Sequence, residues 1–134
     1  LHNFPEGLAV GVSFGSPNQA DGLATATGIG LQNVPEGLAV ALSLAAVGYG
    51  RIFSFSIALL TGLIEPVGGF LGISAISLSS ELLPWGLGFA GGAMIWVVSS
   101  EIIPETHRDR QEGIATGALM VGLAVMMSLD WIFG

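Results

Sequence analysis

Four stretches of this chain are almost free of charge, and that scarcity limits what it can fold into. Residues 22–50 contain one charged residue, Glu36, and residues 52–80 contain only Glu65, each near the middle of its stretch. Residues 82–100 are uncharged, and so are residues 113–129, before Asp130. A helix of about 20 residues crosses the hydrocarbon core of a bilayer, so each stretch suffices for one crossing. Charged residues make up 10% of the 134, against ~25% in soluble domains, which is too few to coat a small domain in water. A closed barrel would need segments of about 10 residues alternating apolar and polar side chains, and no such alternation runs here. The expected fold is therefore all-α: a polytopic helical membrane protein with helices near 1–15, 22–47, 52–78, 83–103 and 113–133.

The rest of the composition excludes several functions. Ten acidic residues against three basic ones, all Arg, give a formal charge of −7, which rules against nucleic acid as a partner. Without cysteine the chain has no disulfide, no thiol nucleophile and no thiolate metal site. Arg51 and the pair Arg108 and Arg110 fall in loops that alternating helices place on one side, and that side is expected to be cytoplasmic. Small residues recur at four-residue spacing as Gly7/Gly11/Gly15, Gly68/Gly72, Gly88/Gly92 and Gly113/Gly117, a pattern that permits close helix contacts in lipid.

An internal repeat carries the chemistry. Leu1-His2-Asn3-Phe4-Pro5-Glu6-Gly7-Leu8-Ala9-Val10 aligns with Leu31-Gln32-Asn33-Val34-Pro35-Glu36-Gly37-Leu38-Ala39-Val40, identical at eight of ten positions and thirty residues apart. That separation is one crossing and a turn, so the copies are expected on consecutive antiparallel helices. Glu36 stands mid-helix, whereas Glu6 stands five residues from Leu1. Equivalent copies would put Leu1 inside the membrane, and the chain is expected to be part of a longer protein.

Residues three and four apart share a helix face, so His2 and Asn3 flank Glu6, and Gln32 and Asn33 flank Glu36. Pro5, Pro35 and Pro66 donate no backbone hydrogen bond, which frees the carbonyls of Leu1, Leu31 and Gly62 and is expected to kink the helices. Glu65 adds a third carboxylate at depth. Each costs ~2.5 kcal/mol or more to place mid-membrane on insertion scales, and no Lys or Arg stands in a helix centre to pair with it. Three mutually repelling carboxylates require protons or a cation. Carboxylate and amide oxygens with one imidazole suit Zn²⁺, Cd²⁺, Fe²⁺ or Mn²⁺, and two divalent ions bridged by Glu6 and Glu36 would balance the charge. Binding would then displace protons.

These residues resemble the ZIP (Zrt-, Irt-like) divalent-metal transporters, in particular the bacterial branch with HNxPEG and QNxPEG on consecutive helices. His2 to Gly7, Gln32 to Gly37 and Glu65-Pro66 match in order, spacing and depth. The resemblance implies helices four to eight of an eight-helix bundle, the preceding helices of the same protein being absent. It implies uptake of divalent metal, zinc foremost, across the bacterial inner membrane through a binuclear site of His2, Asn3, Glu6, Gln32, Asn33, Glu36 and Glu65. It further implies homodimers, and residues 1–78 as transport helices moving against scaffold-like residues 79–134. Some members of that family have Asp where Asn33 stands, and many have His where Ser100 stands. Glu101 reads equally as structural or functional, and His107 as part of a solvated loop. Among rivals, a zinc protease would need His-Glu-x-x-His and a di-iron enzyme Glu-x-x-His, and neither occurs. A proton-coupled carrier of another solute is the remaining alternative, disfavoured by the lack of apolar residues expected around the polar cluster.

Overall fold

The computed structural model describes residues 2–107 and 112–133. Helix α1 (Asn3–Phe14) is followed by α2 (Gln19–Ala46), α3 (Arg51–Gly62), α4 (Ile64–Leu78) and a 3-10 turn (Ser80–Leu82). Then come α5 (Leu83–Val97), a π-helical turn (Val98–Ile102), α6 (Ile103–Thr106) and α7 (Glu112–Phe133). The described residues contain no strand. Three helical runs, Gln19–Ala46, Arg51–Leu78 and Ser80–Thr106, are long and apolar enough to cross a membrane.

Local chemistry explains where the helices begin and end. Asn18 caps α2 from an extended backbone conformation, its side chain accepting from the Ala20 N–H at 3.2 Å. Asn18 and Ser16 also hold Asp21 in the first turn, where a negative charge suits the helix N-terminus. The α2–α3 turn needs Gly48, whose φ of +106° is left-handed backbone that side chains disfavour.

The proline effects differ from expectation. The segment expected as one helix over 52–78 divides at Leu63, because Pro66 gives no N–H to the Gly62 carbonyl and starts a new helix in its first turn. Pro84 stands in the first turn of α5 and Pro104 in that of α6. Pro104 also withholds the N–H that Ser100 would receive, and the helix expected over 83–103 widens into the π turn before continuing to Thr106. Pro35, by contrast, does not interrupt α2. Pro5 sits in the first turn of α1, where an N–H would have no helical partner. Leu1, whose carbonyl was expected to be freed, lies outside the described residues, as do Arg108 and Arg110.

Helix α1 lies parallel to α4, backbone against backbone. A Cβ on Gly7 would fall 1.9 Å from the Glu65 carbonyl oxygen, and one on Gly11 would fall 2.0 Å from that of Gly69. From the other side, Gly68 and Gly72 meet the carbonyls of Phe4 and Leu8. Of the glycine pairs in the sequence, then, the first two face one another. Gly88, Gly92, Gly113 and Gly117 meet nothing within 4 Å among the described residues.

The molecule is inside-out by the standard of a soluble protein. Among the described residues the buried apolar ones are few and mostly small: Ala9, Val12, Ile29, Ala58, Ile76 and Ala90. Asn3 and Glu6 are buried with them, while Ile52, Phe70, Trp85 and Trp131 project outward. Such an exterior suits lipid rather than water. Alternation of the helices places the α2–α3 turn beside Arg51 and the end of α6 at Thr106 at the same end.

Candidate metal centre

The two copies of the repeat meet as antiparallel neighbours on α1 and α2, and they pair reciprocally. His2 Nε2 lies 2.6 Å from Glu36 Oε1. At the equivalent position of the other copy, Gln32 Nε2 donates to Glu6 Oε1 at 2.8 Å. Each copy's first polar residue thus reaches the other copy's glutamate, the self-complementary relation of a two-fold axis. Asn3 adds a longer contact, 3.4 Å from its amide nitrogen to Glu36 Oε1.

The symmetry ends at Asn33. Its counterpart Asn3 turns to Glu36, whereas Asn33 donates to Glu65 Oε2 on α4 at 2.6 Å. The packing accounts for it: α4 presses its Glu65 backbone against Gly7 of α1, which brings the Glu65 carboxylate within reach of Asn33. The seven residues singled out in the sequence thus pair off in three groups, His2 and Asn3 with Glu36, Gln32 with Glu6 and Asn33 with Glu65, contributed by α1 with its cap, α2 and α4.

Among the described residues, no three His, Asp or Glu side chains are gathered closely enough to hold one ion in this arrangement. Each carboxylate is held instead by an amide or the imidazole. Two acceptors are left over: Glu6 Oε2 and Asn33 Oδ1 are buried without a hydrogen-bond partner. An unsatisfied buried acceptor typically costs about 1–3 kcal/mol, and more where it is charged. Glu6 is 7% exposed, so water does little for it. The oxygens that lack donors are the atoms a cation would coordinate. Turning the amides of Gln32, Asn3 and Asn33 would also present carbonyl oxygens in place of the N–H groups that now face the carboxylates.

A cleft opens onto the cluster, lined by His2, Glu6, Gln32 and Glu36 and closed on the far side by α5 and the π turn through Met94, Val97, Val98, Glu101 and Ile102. The apolar part of that wall departs from the expectation of little apolar lining. It carried no sequence signal, because α5 is apolar on every side and periodicity cannot say which face turns inward. Glu101 comes within 3.9 Å of His2 Nδ1. His107 is not part of the cluster; it follows α6, and its Nδ1 lies 2.7 Å from the carbonyl of Ile103, the first residue of that helix.

Comparison with known proteins agrees with the motifs. A family model described as "ZIP Zinc transporter" matches residues 1–130. The chain is 58% identical over its whole length to zinc transporter GufA of Myxococcus xanthus, of which it covers 53%. It is 48% identical, again over its whole length, to zinc transporter ZIPB of Bordetella bronchiseptica, covering 43% of that protein. With human zinc transporter ZIP11 it shares 43% identity across 97% of this chain and 40% of the relative. The chain thus spans about half, or less, of the length of these curated relatives.

Proposed function

This chain belongs to the ZIP zinc transporter family, and from that premise we propose that it carries the metal-binding part of a membrane transporter that takes zinc toward the cytoplasm. Cadmium, iron and manganese suit the same oxygen-rich donor set. The observation that supports this reading most is the pair of buried, unpartnered oxygens on Glu6 and Asn33, among polar groups that include three carboxylates and, among the described residues, no ion pair to Lys or Arg.

In this reading two ions share Glu6 and Glu36 as bridges. One is completed by His2 and Gln32, close to a four-ligand zinc set. The other is completed by Glu65, Asn3 and Asn33. Binding exchanges the hydrogen bonds of the empty cluster for metal bonds, so on release each carboxylate regains an amide or imidazole partner while Glu6 Oε2 and Asn33 Oδ1 stay open to the next ion. That exchange favours release, which a transported ion requires as much as capture. Residues 1–78 act as the moving transport helices and 79–134 as scaffold, within a homodimer in the bacterial inner membrane that also contains the preceding helices. The chemistry is transport and not enzymatic turnover.

Full-length protein in proteoliposomes should accumulate zinc. Flux of an organic solute or of protons without metal would overturn the reading. The two ions should also differ. Only Glu65 is an unshared anion at the second position, and neutral amides hold zinc less tightly than carboxylates. Asn33→Asp should tighten the weaker of the two zinc affinities on the order of tenfold, measured by competitive titration. It should slow transport where release limits turnover. An unchanged second affinity would show the asymmetry argument to be wrong.

A further inference from the structure

The imidazole of His2 stands between two carboxylates on different elements. Nε2 faces Glu36 at 2.6 Å, and Nδ1 faces Glu101 Oε2 at 3.9 Å. A neutral imidazole that ligates through Nε2 carries its proton on Nδ1, and that N–H needs an acceptor. Metal-bound histidines nearly always have one, and it fixes both the tautomer and the plane of the ring.

Glu101 can reach that position. Its side chain is 56% exposed, so it is free to rotate, and closing the gap requires a movement of about 1 Å to ordinary hydrogen-bond length or one bridging water. It stands in the π turn ahead of Pro104, where Glu101 and the adjacent Ile102 both line the cleft. The neighbouring Ser100 hydroxyl is committed to the Trp96 carbonyl at 2.7 Å and does not compete for the imidazole.

The geometry points to Glu101 as a positioning residue: it accepts the Nδ1–H of His2, holds Nε2 toward the metal position, and is not itself a ligand. This inference rests on the proposed role of His2 as a metal ligand. It ties the wall formed by α5 and the π turn to the cluster on α1 and α2 through a single hydrogen bond.

The test compares wild type, His2→Ala, Glu101→Ala and Glu101→Gln in the full-length protein, reading zinc affinity by competition and the His2 tautomer by ¹⁵N NMR of labelled imidazole. Glu101→Ala should weaken zinc binding by about 10- to 100-fold and leave His2 as a mixture of tautomers. Glu101→Gln, whose amide oxygen still accepts the Nδ1–H, should restore the single tautomer and most of the affinity. Equal loss in both Glu101 variants would make the carboxylate a ligand and overturn the inference, as would a Glu101→Ala protein with wild-type affinity and tautomer. Wild-type zinc affinity in His2→Ala would instead remove the premise that His2 is a ligand, and the inference with it.

Discussion

Replacing Glu6 or Glu36 by Ala in the full-length protein should abolish tight zinc binding and reduce transport to background, while the protein still folds and inserts. Both losses are expected to be large because each carboxylate serves both ions, so one substitution damages two positions. The variants should fold because the close backbone packing of α1 on α4 involves neither carboxylate side chain. Glu6 leaves one oxygen unpartnered, and Glu36 bonds to His2 and Asn3 of the same polar cluster. Removing Glu6 even relieves a buried, unsatisfied acceptor. The two variants differ in what they strand: Glu6→Ala leaves the Gln32 amide without its acceptor, and Glu36→Ala does the same to His2. Equilibrium dialysis with metal analysis, beside thermal unfolding, separates loss of the site from loss of the fold. Full zinc occupancy in either variant would contradict the account.

The second large effect is expected from a residue that touches no metal. Gly11→Ala should destabilise the protein and weaken zinc binding, although every polar residue of the cluster is retained. The added Cβ would lie 2.0 Å from the Gly69 carbonyl oxygen, an overlap with backbone that no rotamer change can relieve. Helices α1 and α4 must separate, and overpacking of this kind typically costs about 1–3 kcal/mol. The separation also moves Glu6 away from Glu65, the two carboxylates that α1 and α4 bring together. Gly88→Ala is the matched control. It has the same chemistry in an apolar helix and meets nothing within 4 Å among the described residues, so it should be neutral or slightly stabilising through helix propensity. A lower melting temperature and weaker zinc affinity in Gly11→Ala alone is the expected outcome. Equal behaviour of the two variants would mean that the α1–α4 contact does not position the cluster.

Much of the architecture was legible because charge in a bilayer is so strongly disfavoured. The uncharged stretches marked the long helices, with α2 observed over Gln19–Ala46 where 22–47 was expected. The repeat showed that Glu6 and Glu36 should lie on antiparallel neighbours. What the repeat could not show is which side chain meets which. Periodicity assigns a residue to a face, and the neighbour on that face depends on how the helices cross. The reciprocal pairs His2–Glu36 and Gln32–Glu6, and the turn of Asn33 toward Glu65, therefore appear only in three dimensions.

Glycine spacing failed for the same reason. It marked the real contact of Gly7 and Gly11 with Gly68 and Gly72, and it marked Gly88/Gly92 equally, which meet nothing within 4 Å among the described residues. The prolines were readable as lost donors, yet their consequence depends on position. Pro66 starts a helix after a break, Pro104 stands behind a π turn, and Pro35 is carried within α2. A missing hydrogen bond does not specify which of these a helix will adopt. Glu101 fell between readings because its contact crosses from the π turn to α1, and no local pattern connects the two.

The central claim is that the two halves of the repeat jointly hold transported zinc. Anomalous diffraction at the zinc edge from crystals of the full-length protein tests it most directly. The account predicts zinc density between α1 and α2 at about 2.0–2.2 Å from carboxylate oxygens of both Glu6 and Glu36, with a second, weaker peak toward Glu65. Zinc bound elsewhere, with Glu6 still paired to Gln32 and Glu36 to His2, would contradict it.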